Sequence, residues 1–168
     1  MSHQEHEKCA ASLALSCCVI TLSDTRTKET DISGKAIIEQ LTAAGHRVVR
    51  YELIPDEPEQ LRSLVRGAID DPAIEVVITT GGTGVAARAR AVDTILPLLG
   101  TPIPGFGELF RMLSFQEIGA AAMLSRAEAG IANRTVIFLL PGSTHACKLA
   151  MERLIVPQAA HLVSHAKR

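Results

Sequence analysis

VVITTGGTGVAARARAVDTI, residues 76–95, opens on a run of apolar and β-branched residues with no polar face. A strand of that composition is buried on both sides, as in a parallel sheet covered by helices. The chain then turns through Gly81, Gly82, Gly84 and the threonines around them, and is expected to be helical to about Leu96, where Pro97 limits it. Such a turn is built for an anion. Its glycines allow positive φ and close backbone approach. Amides at a helix N-terminus favour negative charge, and Thr80 and Thr83 add hydroxyl donors. No lysine follows in Walker A spacing, and position 87, where a GxGxxG fingerprint needs its third glycine, is Ala87. P-loop ATP binding and Rossmann dinucleotide binding are therefore disfavoured.

Working outward, the same alternation recurs. Residues 15–22 read as a buried strand. After the polar loop SDTRTKETD, Asp31 or Ser33 can cap a helix to about Ala44, with Ile37, Leu41 and Ala44 on one face and Gly45 as its stop. Residues 47–54 alternate, with Val49, Tyr51 and Leu53 set against Arg50 and Glu52. Residues 57–70 are the clearest helix, carrying Leu61, Leu64, Val65, Ala68 and Ile69 on one stripe. PIPGFGELFRMLSFQEIG reads as a loop with a short helix around 108–113, and 119–126 is ambiguous. TVIFLL, residues 135–140, is another doubly buried strand. PGS follows, then a last helix with Cys147, Ala150, Met151, Leu154 and Ile155 inward, kinked or split at Pro157.

Strand and helix in turn predict an α/β domain with a parallel sheet covered on both faces. In such sheets, ligands bind beyond the carboxyl ends of the strands. The four segments SDTR (23–26), PDE (55–57), TGGTG (80–84) and PGS (141–143) are therefore expected to meet at one crevice.

The chain has 168 residues, enough for one good core, and its apolar fraction of 47% and charged fraction of 21% suit a globular protein. Residues 1–14 read as a flexible tail and 15–168 as a single domain. A net charge of −1 argues against nucleic acid or an anionic membrane as partner. With four Phe, one Tyr and no Trp, stacking platforms for single strands are not expected. The run 13–22 is too short to span a bilayer, and the polar N-terminus carries no signal peptide, so a cytoplasmic protein is expected. Cys9, Cys17, Cys18 and Cys147 have no zinc spacing and read as reduced thiols. Cys17 and Cys18 should point to opposite faces of their strand. His3 and His6, beside Glu5 and Glu7, read as part of the tail.

Several residues have both an ordinary and a chemical reading. Asp56 compensates a helix dipole or ligates Mg²⁺, which takes one or two carboxylates plus phosphate oxygens and water. Asp24 carries the same pair of readings. Ser143 is a helix cap or a ligand hydroxyl. Asp93 is a solvated face residue or a site carboxylate. Arg88 and Arg90 either draw anions into the crevice or are surface charges.

TLSDTR (21–26), DISG (31–34), IPDE (54–57), ITTGGTG (78–84), PGFGELFRMLSF (104–115), LSRAEAGI (124–131) and FLLPGS (138–143) together resemble the MoaB/MogA family of molybdenum cofactor biosynthesis proteins, also seen as the G domain of gephyrin-like proteins. The match runs over roughly residues 15–157. It implies a three-layer α/β sandwich with a mostly parallel central sheet, in a homotrimer or a hexamer of two trimers. It implies molybdopterin as ligand and other proteins of the molybdenum cofactor pathway as partners. Catalytic members transfer AMP from Mg-ATP to the molybdopterin phosphate, with ATP as substrate and no tightly bound cofactor. Carried over by motif, Thr80, Gly81, Gly82, Thr83 and Gly84 form the phosphate and pterin loop. Ser23 and Asp24 belong to the loop after the first strand, and Glu108, Ser114 and Ser125 to the ligand side. Pro141, Gly142 and Ser143 line the nucleotide side.

Asp56 matches the first of two functional aspartates. The second belongs to Arg-Asp-x-Thr-Pro-Glu/Asp, which here reads Arg88-Ala89-Arg90-Ala91-Val92-Asp93. Lys is usual where His145 stands. The resemblance thus leaves two expectations. In one the chain is an adenylyltransferase using Asp56 and Asp93 as catalytic and magnesium-holding carboxylates. In the other it binds molybdopterin or its precursor without transfer, because the second aspartate is Ala89.

Overall fold

The computed structural model describes residues 13–168. Of the expected tail, residues 1–12, with His3, His6 and Cys9, lie outside the described residues. One six-stranded sheet organises the rest, in the order β2-β1-β3-β6-β5-β4. Strands β1 (Ser16–Leu22), β2 (Arg47–Ile54), β3 (Val76–Thr80) and β6 (Thr135–Leu140) are parallel, and β4 (Thr101–Pro102) and β5 (Glu128–Ala132) continue the sheet antiparallel. β1, β3 and β6 are buried at every position. This is what their unbroken apolar runs require, because each lies between two strands and two layers of helix.

Alternation along β1 sorts its side chains. Leu15, Cys17 and Val19 join the core under α1 (Ile32–Ala43), α4 (Pro104–Ile118), α5 (Thr144–Ala150) and α6 (Val156–Ala166). Cys18, Ile20 and Leu22 join the core under α2 (Pro58–Asp70) and α3 (Ala91–Ile95). The expected three-layer α/β arrangement is thus present, and the two adjacent cysteines do face opposite ways. Leu61 and Val65 of α2 are fully buried. Each such side chain contributes about 1.5–3 kcal/mol by leaving water.

Four local expectations change. The helix expected directly after the glycine turn begins only at Ala91 and is five residues long. Residues 81–90 are loop, closed by the first amide of the helix, Ala91 N, which donates to Gly82 O at 3.1 Å. The short helix around 108–113 is instead fifteen residues, started by Pro104 in its first turn and ended at Gly119 with φ 64°. The stretch 119–126 forms a 3₁₀ turn over Gly119–Leu124 and then runs extended toward β5. β5 itself went unread because EAGIA is short and small. It pairs with β6 through the turn at Asn133, whose φ of 53° suits Asn. The last helix is divided as expected: a π-helical turn, Met151–Ile155, absorbs the missing amide of Pro157 before α6 continues.

Candidate functional site

Parallel strands end at one edge of a sheet, so the loops after β1, β2, β3 and β6 must gather there. They enclose an open cleft of about 660 Å³. Ser23, Thr25 and Arg26 follow β1, Asp56 follows β2, Gly81 to Gly84 follow β3, and Pro141 to Ser143 follow β6, all lining it. Ala86, Arg88, Ala89, Leu124 and Ser125 complete the lining. The four segments singled out by the sequence therefore meet as expected.

The floor is tied tightly. Gly81 takes φ 103°, and a Cβ there would lie 2.5 Å from the carbonyl oxygen of Leu22. Its amide donates to Leu140 O at 3.0 Å. Thr80 Oγ1 donates to Pro141 O at 2.8 Å, and the Cys147 thiol lies 3.2 Å from Thr80 Oγ1. Both groups, expected to meet an anion, are thus engaged in holding β3 to the end of β6. Among the described residues, the amides of Gly82, Thr83 and Gly84 donate to no backbone carbonyl. The expected anion cradle is therefore a positive-φ loop without a helix N-terminus directly behind it, since Gly82 has φ 67° and α3 starts nine residues on. Burial pushes the Cys147 thiol up to about 11, so it is an inert neutral group under the floor.

A buried acid braces one side. Asp31 is fully buried and caps α1 by accepting from the Gly34 amide at 2.9 Å. Tyr51 Oη donates to its other oxygen at 2.6 Å, and Arg26 Nη1 stands 3.6 Å away. Burial alone would raise this carboxyl; the Thr21 hydroxyl beside it, the hydrogen bonds from Tyr51 and Gly34 and the Arg26 charge outweigh it, so its pKa lies below the ordinary value. Arg26 Nη1 also donates to Ser33 Oγ at 3.1 Å, and Ser33 Oγ donates to Gly142 O at 2.9 Å. One guanidinium is thereby fixed in the cleft, and the loop after β1 is joined to the loop after β6.

The carboxylates fall in different places. Asp56 lines the cleft, and a Cβ on Gly82 would lie 3.2 Å from its Oδ1. Burial first, then the Asp24 charge, raise the Asp56 carboxyl above its usual value, and Arg88 only partly offsets them. Asp24 sits behind it, with Oδ1 accepting from the Asp56 amide at 3.0 Å. Asp93 is not among the residues lining this cleft. Both its oxygens accept from Arg126, each at 3.0 Å, on a separate shallow depression beside Val85 and Arg90. Hydrogen bonds from Arg126 hold its carboxyl below the usual range. Among the described residues, no three of His, Cys, Asp and Glu gather to hold a metal ion by themselves.

Of the remaining candidates, Ser23, Ser125 and Ser143 line the cleft. Ser23 Oγ accepts from the Arg26 amide at 3.1 Å, and Ser143 Oγ caps α5 by accepting from the Ala146 amide at 3.2 Å. Each hydroxyl keeps its proton for a ligand oxygen, so cap and ligand contact are compatible in Ser143. Ser114 is buried on α4 and Glu108 is exposed on the same helix; neither lines the cleft. His145 pairs with Glu117 at 2.6 Å outside it. Sequence reasoning assigned no role to Arg26, Leu124 or Arg126, and read Ser33 only as a candidate helix cap. Arg26 and Arg126 were inside quoted motifs, but only the folded loops show what each guanidinium reaches.

The chain matches a family model described as "Probable molybdopterin binding domain" over residues 18–161. It is 48% identical over 170 aligned residues to the molybdenum cofactor biosynthesis protein B of Bacillus subtilis (strain 168), covering 100% of this chain and 99% of that one. A crystal structure of a molybdenum cofactor biosynthesis protein B superposes with a TM-score of 0.90 at 43% identity, covering 93% of this chain and 98% of that one. The tungsten cofactor synthesizing protein MoaB from Pyrococcus furiosus superposes at 0.84 with 37% identity, over 92% of this chain and 98% of that one.

Proposed function

The chain belongs to the MoaB family of molybdenum cofactor biosynthesis proteins, and on that premise we propose that its cleft binds molybdopterin and promotes transfer of AMP from Mg-ATP to the molybdopterin phosphate. The observation that carries this reading is the meeting of two kinds of group in one 660 Å³ cleft: a positive-φ glycine loop with Arg26 and Arg88 for anions, and the carboxylate of Asp56 among them.

The residues present fit a magnesium ion carried in with phosphate. Asp56 is the carboxylate that would hold it, and the ligand's own phosphate oxygens would complete the set. The ion would supply charge neutralisation at the phosphates during transfer. The rest belongs to the chain. The amides of Gly82, Thr83 and Gly84 and the protons of Ser23 and Ser143 bind phosphate oxygens. Arg26, fixed by Asp31 and Ser33, orients the anion without needing to reorganise. Arg88 adds positive charge from the 81–90 loop. Asp24, hydrogen-bonded to the Asp56 amide, sets the position of Asp56 and disfavours its ionised form until a cation or Arg88 compensates. Ala89, in the place of the family's second aspartate, offers only a methyl group, so this reading places the carboxylate work on Asp56.

A second part of the proposal concerns assembly. α4 presents Leu109, Met112, Phe115 and Ile118 to solvent, exposed by 48, 52, 61 and 56%, and Met123 and Leu124 extend the patch. Large apolar side chains exposed together on one helix mark an interaction surface. Further copies of the chain cover it, in a trimer or a hexamer of two trimers.

The deciding experiment incubates the purified protein with molybdopterin, Mg²⁺ and ATP and follows adenylylated molybdopterin. Product formation that Asp56→Asn abolishes is the expected result. Tight molybdopterin binding with no product would overturn the transferase reading, and no binding would overturn the ligand.

A further inference from the structure

We propose that Arg126 is the positioning residue of the glycine loop, and that Asp93 serves the site only as the anchor of that guanidinium. Residues 81–90 have little backbone bonding of their own: Ala89 N donates to Ala86 O at 2.8 Å and Ala91 N to Gly82 O at 3.1 Å. Arg126 supplies the rest. Its amide donates to Thr83 O at 3.0 Å, its Nε to Gly84 O at 3.2 Å and its Nη2 to Ala89 O at 2.7 Å. The same guanidinium forks onto both oxygens of Asp93 at 3.0 Å. One side chain thus spans the loop from its glycines to the start of α3.

The chemistry makes this specific to arginine. Three separate acceptors lie around one planar group, and only the guanidinium carries donors in that arrangement. As an ion pair alone the contact would count for little, since the side chains of Arg126 and Asp93 are 34% and 58% exposed. Its significance lies in the loop carbonyls it holds. Arg126 also follows Leu124 and Ser125, which line the same cleft. The glycine loop and the Leu124–Ser125 segment are therefore fixed to each other at one residue. With both oxygens engaged there, Asp93 is not offered to the cleft. This deepens the reading above and, for the affinity readout, rests on it.

The test compares wild type with Arg126→Lys, which keeps the charge and loses the fork, and with Asp93→Asn, which keeps the loop carbonyl bonds. Arg62→Gln, at an exposed i,i+3 pair with Glu59, is the control. Amide hydrogen exchange is read by mass spectrometry over 82–91, and molybdopterin affinity by calorimetry. Arg126→Lys is expected to speed exchange of the bonded amides in 82–91, those of Ala89 and Ala91, by about tenfold, roughly what losing one or two hydrogen bonds allows, with the strands unchanged. Its affinity for molybdopterin falls by about tenfold on the same reasoning. Asp93→Asn shows a smaller effect in the same segment, and Arg62→Gln none. Unchanged exchange in 82–91 for Arg126→Lys, or a uniform rise across the sheet in both variants, overturns the positioning role. If the wild type fails to bind molybdopterin while the loop still loosens in Arg126→Lys, the ligand reading falls and the positioning role stands.

Discussion

Replacing Gly81 by Ala isolates the closest approach in the cleft floor. Two costs add. The residue sits at φ 103°, where an L side chain is strained, at about 1–3 kcal/mol. The new Cβ would also come within 2.5 Å of Leu22 O. That oxygen belongs to the end of β1, which is paired with β2 and β3 on its two sides and cannot withdraw freely. Overpacking of that kind costs about 1–3 kcal/mol more. Gly45 provides the internal reference. It has φ 83° with nothing within 4 Å of its would-be Cβ, so Gly45→Ala carries only the backbone term, about 1–2 kcal/mol. Urea unfolding at one fixed protein concentration should place Gly81→Ala about 2–6 kcal/mol below wild type, and below Gly45→Ala by about 1–3 kcal/mol. If the two variants fall within about 0.5 kcal/mol of each other, the floor is not the close contact described and the argument for its rigidity fails.

Asp31 is buried with its pKa held below the ordinary carboxylate value. Its contribution to stability is therefore fully present above that ordinary value and is lost as the pH falls through the depressed one; Tyr51→Phe, which removes a 2.6 Å hydrogen bond to it, should cost about 1.5–3 kcal/mol at pH 7 and progressively less as Asp31 protonates, read by urea unfolding across pH. Asp56 has the opposite sign. Its raised pKa makes ionisation unfavourable in the fold, so Asp56→Asn should be more stable than wild type above the raised value and indistinguishable from it below the ordinary one, in thermal unfolding against pH. Phe115→Glu on the exposed face of α4 should lower the assembled mass in light scattering coupled to size exclusion without lowering helix content by circular dichroism.

The parts of the fold that could be read in the chain were those fixed by burial on both faces. β1, β3 and β6 read as buried on both faces, and α2 has a clean stripe, so a parallel sheet covered by helices followed from composition and periodicity. The convergence of four loops came from the same rule and needed no side-chain detail. The antiparallel edge was not legible. β4 is two residues long and β5 carries Glu128, Ala129 and Gly130, so neither has the β-branched content that marks a strand. The glycine turn was read correctly in its positive φ, but the amide of Gly81 and the hydroxyl of Thr80 bond to β6, and no single-strand pattern reveals a partner sixty residues away. Asp93 was legible as a carboxylate beside the turn. Which way it faced depended on Arg126, thirty-three residues on.

The bonds from Gly81 and Thr80 to Leu140 and Pro141 separate the molecule's tolerance to change into two zones. Beneath the ligand, backbone is stitched to backbone across adjacent strands, so a new guest must accept the contour it finds there. Around the rim, where Ala86, Arg88 and Leu124 stand on loops, side chains can be exchanged without disturbing that seam. Drift in which pterin or nucleotide is accepted should accordingly be written in the rim, while the ground under it stays the same from one descendant to the next.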